Sequence, residues 1–311
     1  ADSTKGWLPV SDDAVADVPV TPVAQKGIFA FGYSAGGGNF SISNLVNSSG
    51  VVASDTTGVG TARYYLGAAS YGGDKAIFGY GTNDSANLSL TNLVNNSGVV
   101  AADVTGVGTA RNGVAAVAYG NDKAIFGFGN DGSRVSTTNL VNNSGVVGSD
   151  VTGVGTGRQA IAAAGYGGDK AIFAYGTTGS NVSLSNLVSN SGVVASDVTG
   201  VGSARHQLGA AKYGTDKAIF GYGYTGSYVS LKNLVSNSGV VAADVSGVGT
   251  ARSGVAATNY GGDKAIVAYG RAGSFFSISN LINNSGVVAA DVSGVGTVRG
   301  YLAGAGFSYS A

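Results

Sequence analysis

Six arginines recur along the chain, Arg63, Arg111, Arg158, Arg205, Arg252 and Arg299, and each stands eight residues after an aspartate: Asp55, Asp103, Asp150, Asp197, Asp244 and Asp291. A guanidinium is a planar fork of donors that grips carboxylates, so six of them at one pitch can serve either as an acidic-ligand clamp or as repeated structural ion pairs. A second charged set, Asp74-Lys75 with its counterparts at Lys123, Lys170, Lys217 and Lys264, reads as the solvated end of a hairpin turn. The remaining chemistry is sparse: one histidine, no cysteine and no glutamate, the 17 acidic residues all being Asp. Thiolate and imidazole metal sites are therefore not expected, and neither is a cofactor. Acid–base pairs work when two carboxylates sit in unlike surroundings, and here every repeated Asp has near-identical copies. Two separated Asp per unit also make a poor calcium site. These readings point away from an enzyme.

Residues repeated this evenly must be held by repeated elements. GGDKAIFGYG from Gly72 returns as GNDKAIFGFG, GGDKAIFAYG, GTDKAIFGYG and GGDKAIVAYG, with a shorter relative, KGIFAFGY, from Lys26. The motif lysines Lys26, Lys75, Lys123, Lys170, Lys217 and Lys264 are 49, 48, 47, 47 and 47 residues apart. Short apolar runs broken by Gly and Asn are the pattern of strands joined by turns. In the second unit this predicts strands over Leu66 to Tyr71, Lys75 to Tyr80, about Asn87 to Val94, and Val99 to Val104, with turns at residues 72–74 and 95–98. Four antiparallel strands per unit of 40 to 50 residues is the signature of a β-propeller. The expected fold is thus all-β, a six-bladed propeller over residues 26–311 in which Gly300 to Tyr309 completes the blade begun at Lys26; an open solenoid is the alternative. Residues 1–25 do not repeat, hold the sole Trp and all three Pro, and read as an extended arm or as a strap on the propeller's side.

Gly supplies 54 of 311 residues and the formal net charge is zero, which gives no electrostatic reason to expect nucleic acid or an anionic membrane as partner. No apolar stretch approaches a membrane span, so no membrane insertion is expected. The absence of Met, even at position 1, together with a Ser/Thr/Asn-rich surface, leans towards an extracellular or virion protein. Asn-x-Ser sequons at Asn47, Asn95, Asn142 and Asn283 fall on turns and read as turn residues first.

The phrase TGVGTARNGVAAVAYGNDKAIFGFG, Thr105 to Gly129, resembles the kelch repeat, and the resemblance runs from Lys26 to Ala311. The kelch Gly pair is here Gly-Tyr-Gly or Ala-Tyr-Gly, and Val and Leu replace the usual Tyr and Trp of the outer strands. The Gly-rich form is similar to kelch-type propellers on virion and tail-appendage proteins of bacterial viruses. That likeness implies a virion protein, with other virion proteins as partners through residues 1–25. It also implies that the repeated arginines, Arg111 among them, can line the mouth of the central channel and bind acidic ligands. The copper-radical chemistry of some kelch enzymes needs a Cys-linked Tyr and two His, and sialidase-type propellers need Asp-box turns; this chain has neither.

The six units differ mainly at two places: just after the Arg (Tyr64-Tyr65, Asn112-Gly113, Gln159-Ala160, His206-Gln207, Ser253-Gly254, Gly300-Tyr301) and just after the second strand (Tyr33, Thr82, Asn130, Thr177, Tyr224, Arg271). In a four-stranded antiparallel blade these two loops share a face. The expectation is a diversified binding face carrying Tyr64, Tyr65, His206, Tyr224, Tyr228, Arg271, Phe275, Phe276 and Tyr301, for a protein or glycan surface ligand. The sequence therefore reads as a recognition or structural module, with a secreted lectin-like propeller as the alternative.

Overall fold

The computed structural model describes residues 25–308, and the expected arm lies outside these apart from Gln25, as do residues 309–311. Every regular element is a β-strand. Six three-stranded antiparallel sheets recur, each with its motif-Lys strand in the centre. In the second sheet the strands are Gly67–Tyr71, Lys75–Gly79 and Thr91–Val94, with Ile77 opposite both Ala69 and Leu93. In the first sheet the central strand Lys26–Ala30 pairs on one side with Ser43–Val46 and on the other with Ala303–Phe307, Lys26 facing Phe307 and Ala30 facing Ala303.

The central strands read as unbroken apolar runs because both of their faces are covered. Phe78 and Ala76 pack towards the first sheet with Phe31, Ala303 and Phe307. The neighbouring Ile77 packs towards the third with Phe126 and Val141. Each of the six apolar clusters draws on two successive sheets, and the last joins Ile266 and Tyr269 to Phe29 and Leu302 of the first. Likewise the first strand of each sheet neighbours that of the next, and Ala303–Phe307 lies against both Ala256–Tyr260 and Gly67–Tyr71.

The expected fourth strand is not continuous. Val100 bridges Val94 and Val104 bridges Thr91, a register that slips by one residue between the two contacts. The slip has a side-chain cause: fully buried Asn92 turns its amide into the gap, donating 3.0 Å to Ala101 O and 2.9 Å to Asp103 Oδ1. The same arrangement recurs at Asn44, Asn139, Asn186, Asn233 and Asn280. The third strand is likewise shorter than expected, since Asn87 makes an isolated bridge to Thr82 instead of extending Thr91–Val94.

All six repeated arginines have no exposed surface, so Arg111, expected among the ligand-binding residues, is a core residue. Arg111 Nε donates to Phe128 O at 2.8 Å, Nη1 to Thr109 O at 3.1 Å and Nη2 to Asn139 Oδ1 at 2.6 Å, and Asp150 lies 3.8 Å away. The ion-pair partner is not the Asp eight residues earlier. Asp103 instead lies 3.8 Å from Arg63, because the arginine enters a sheet whose own outer edge carries the aspartate some forty residues on. Each guanidinium also rests on an aromatic ring of the preceding sheet, Arg111 on Tyr80 at 4.3 Å and Arg205 on Tyr175 at 4.3 Å. That contact accounts for the aromatic inside the Gly-Tyr-Gly motif, although it holds Tyr80 at φ 66° and Tyr175 at φ 64°.

Each outer Asp closes the cluster by accepting from the loop before the arginine, as Asp103 does from Thr61 N at 2.9 Å and Thr61 Oγ1 at 2.6 Å. Burial pushes these carboxyls up, but the hydrogen bonds from Thr or Ser and Asn, with the nearby Arg, bring all six below the ordinary carboxylate value. A carboxylate whose folded pKa is depressed stabilises the fold above its unfolded value of about 3.9 and ceases to as pH falls through the folded value. The melting temperature should therefore be flat from neutrality to about pH 5 and fall steeply below about pH 4. A scanning-calorimetry series that stays flat to pH 2 would show that the six aspartates do not carry this linkage.

Candidate functional site

Two hydrogen-bonded cycles mark the two ends of the repeat. At one end the second residue after each Arg takes a left-handed conformation: Tyr65, Gly113, Ala160, Gln207, Gly254 and Tyr301, with φ between 52° and 63°. Their backbones bond to one another at 2.8 to 3.0 Å, Tyr65 N–H to Tyr301 O, Tyr301 to Gly254, Gly254 to Gln207, Gln207 to Ala160, Ala160 to Gly113 and Gly113 to Tyr65. The chain of bonds returns to the residue it left. At the other end the turn glycines donate to the next unit's turn, Gly72 to Asp122 O and Gly120 to Asp169 O, through to Gly261 to Gln25 O and Ser308 to Asp74 O.

The two variable positions meet in pairs at the first end. Tyr64 bridges Thr82, Asn112 bridges Asn130, Gln159 bridges Thr177, His206 bridges Tyr224, Ser253 bridges Arg271 and Gly300 bridges Tyr33. The backbone there is the same in all six units, so what differs is the side chain presented.

Aromatic side chains gather on one arc of this end. Tyr64 lies 5.1 Å from Tyr65 and 5.3 Å from Tyr33, Tyr65 lies 4.6 Å from Tyr301, and Phe275 lies 5.9 Å from Tyr33. Arg271 stands 5.6 Å over Phe275 and donates 3.2 Å to Tyr301 Oη, and hydrogen bonds to Tyr301 and Tyr228 raise its pKa further. Through Tyr228 the arc continues to Tyr224, 5.3 Å away, and then to His206 at 5.7 Å. His206 Nδ1 lies 2.7 Å from Asn181 Oδ1, and burial lowers its pKa so that it is neutral at pH 7. Phe276 is half-buried and belongs to none of these ring pairs; its N–H donates to Gly270 O within its own loop. The arc spans four successive units, while the other two present Asn112, Asn130, Gln159 and Thr177.

Polar groups flank the rings. Tyr64 Oη donates 2.8 Å to Asp84, whose other oxygen accepts from Asn39 at 2.8 Å. Burial and that carboxylate push the Tyr64 phenol up to about 12, so it remains a neutral donor. Across the end, Gln207 Nε2 donates 2.6 Å to Tyr65 Oη and Ser253 Oγ donates 3.1 Å to Gln207 Oε1, a strap between opposite sides of the repeat. Tyr33, Gln207 and Asp84 thus join the residues picked out by sequence reasoning; Tyr33 and Gln207 occupy variable positions, which was the available signal, and Asp84 lies in a loop of irregular length, which gave none.

The turns of the opposite end are nearly uniform in sequence. They carry the expected local ion pairs, from 2.7 Å at Asp74–Lys75 to 3.8 Å at Asp169–Lys170. No family model matches the chain, and no curated protein matches it.

Proposed function

We propose that the six sheets are the blades of a closed six-bladed β-propeller, the bridged outer segments serving as fourth strands, and that it works as a non-enzymatic recognition module whose variable end binds a surface ligand. The supporting observation is that the variable side chains sit on an invariant hydrogen-bonded frame and gather five aromatic rings in one cluster, which Arg271 links to the pair Tyr228 and Tyr224. Such a division lets contact residues change without disturbing the fold. The setting on a virion or other extracellular particle rests on the kelch-like resemblance.

A glycan as the ligand is the second reading. Tyr33 and Tyr64 offer ring faces, with Asp84 and Asn39 beside them as hydroxyl partners. Ring stacking flanked by a carboxylate and an amide suits a sugar better than a flat protein surface.

Replacing Tyr64, Tyr224 and Tyr301 together by Ala should leave the melting temperature within a few degrees, since Ala160 already occupies the position equivalent to Tyr301 at φ 52°. Binding to the matching features of a printed glycan array, or to host cells if no glycan is bound, should weaken by about 1 kcal/mol for each ring that acts as an anchor. Asp74→Asn, Asp122→Asn and Asp169→Asn at the uniform end form the control. Loss of binding in the control set alone would assign recognition to the other end.

A further inference from the structure

The first strands of the six sheets surround a cavity of about 370 Å³ at the uniform end. It adjoins a second cavity, of about 110 Å³ under the variable end, at a collar made by Ala68, Ala116, Ala163, Ala210, Ala257 and Gly304. Two residues further along each strand, towards the uniform turns, the cavity is lined by Ser70, Ala118, Gly165, Lys212, Asn259 and Gly306. These six positions are equivalent, so the frame does not require any one of their side chains. Nothing in the fold of the fifth sheet demands a lysine where the fourth is content with glycine.

Polarity collects on one wall. Ser70 Oγ donates 2.6 Å to Gly306 O. The Gln25 side chain has no exposed surface, and neither polar atom of its amide has a hydrogen-bond partner among the described residues. A methyl group on Gly306 would lie 2.7 Å from Gln25 Nε2 and 3.0 Å from Asn259 Oδ1, so both amides converge beside that strand. The opposite wall is Ala118 and Gly165.

Lys212 is the cation of this chamber. It donates one long hydrogen bond, 3.5 Å to Gly168 O, and no carboxylate lies within ion-pair distance among the described residues. The nearby acids are engaged elsewhere. Asp169 lies 3.8 Å from Lys170 and accepts from Asn190, and Asp216 lies 3.8 Å from Lys217. Burial lowers the Lys212 pKa, partly offset by Asp216. A half-buried ammonium with one marginal acceptor is costly unless an anion completes it.

We propose that this chamber binds a small organic carboxylate, whose oxygens meet Lys212 Nζ and the Asn259 amide while its short alkyl part rests on the alanine collar; the Gln25 amide lies behind Gly306 and Asn259, outside the lining. The site is separate from the aromatic arc, at the other end of the same axis of repeats. The two sites share no residue.

Isothermal titration with sodium butyrate, with n-butanol as the uncharged analogue, tests the assignment. Butyrate should bind the unmodified protein, butanol at least about tenfold more weakly, and Lys212→Met should weaken butyrate by about tenfold or more without lowering the melting temperature of the free protein. Lys212→Arg should retain binding in part, separating charge from packing. The proposal is overturned if butyrate gives no saturable heat at millimolar concentrations, if butanol binds as well, or if Lys212→Met binds butyrate unchanged.

Discussion

Deleting residues 300–311 is expected to destroy the monomeric fold. The cut removes the strand Ala303–Phe307, which pairs along its whole length with Lys26–Ala30 and lies against the first strands of two other sheets. It takes Ala303, Ala305 and Phe307 out of one apolar cluster and Leu302 out of another. Both backbone cycles are opened, since Tyr301 and Ser308 are members. What remains has two unpaired edges and a strip of bared Ala, Val and Phe, the condition under which sheet proteins associate. Size-exclusion chromatography should show aggregate in place of monomer. A truncated monomer with an unchanged melting temperature would sink the closed propeller.

Arg205→Met is expected to cost about 3 to 5 kcal/mol, the range for breaking a buried charged network by removing one partner. The substitution nearly keeps the volume, so the loss is one of hydrogen bonds and charge. Tyr222 O, Ser203 O and Asn233 Oδ1 lose their donor inside the protein, Asp244 loses its nearest cation, and the Tyr175 ring loses the guanidinium stacked on it. Denaturant titration should show the midpoint falling with little change in slope. A loss below about 1 kcal/mol would place the arginine among surface ion pairs, contrary to its burial. The same substitution at Arg111 should cost as much, which distinguishes a core role from ligand binding without any ligand in hand.

The residues that announced the fold are those with one job. Lys75 begins its strand and Gly72 to Asp74 make its turn as the sequence reads, because a turn and an apolar run are local events. The outer segment departs from the expected strand because Asn92, the second residue of the strand before it, turns its amide into the gap between them. The arginines were ambiguous for a similar reason. The aspartate eight residues before Arg63 is Asp55, which pairs with Arg299 at the far end of the chain, and no spacing rule can show that a repeat unit in sequence straddles two sheets. That the two variable loops share one end followed from antiparallel connectivity alone; that they bridge in pairs, Tyr64 with Thr82 and His206 with Tyr224, is seen only in the structure. That the aromatics form an arc across four units, with Gln207 tied to Tyr65 from the opposite side, depended on side-chain directions that the sequence does not carry.

The junction in the first sheet has the form of the other turns with one residue missing. Lys26 faces Phe307 as Lys75 faces Tyr71, Gln25 O accepts where an Asp carbonyl does, and Ser308 N–H donates where a turn Gly does. A turn such as Tyr71-Gly72-Gly73-Asp74-Lys75 needs a single residue between the equivalents of Ser308 and Gln25. In the proposed closed propeller, then, the chain is a circle cut at one of six equivalent turns, and the order in which its units are written is a matter of where the cut falls. A rearranged gene that joins Ser308 to Gln25 through one glycine and opens the chain at Gly168 encodes the same neighbours in a different order, so every unit should keep its place while the chain starts at another turn.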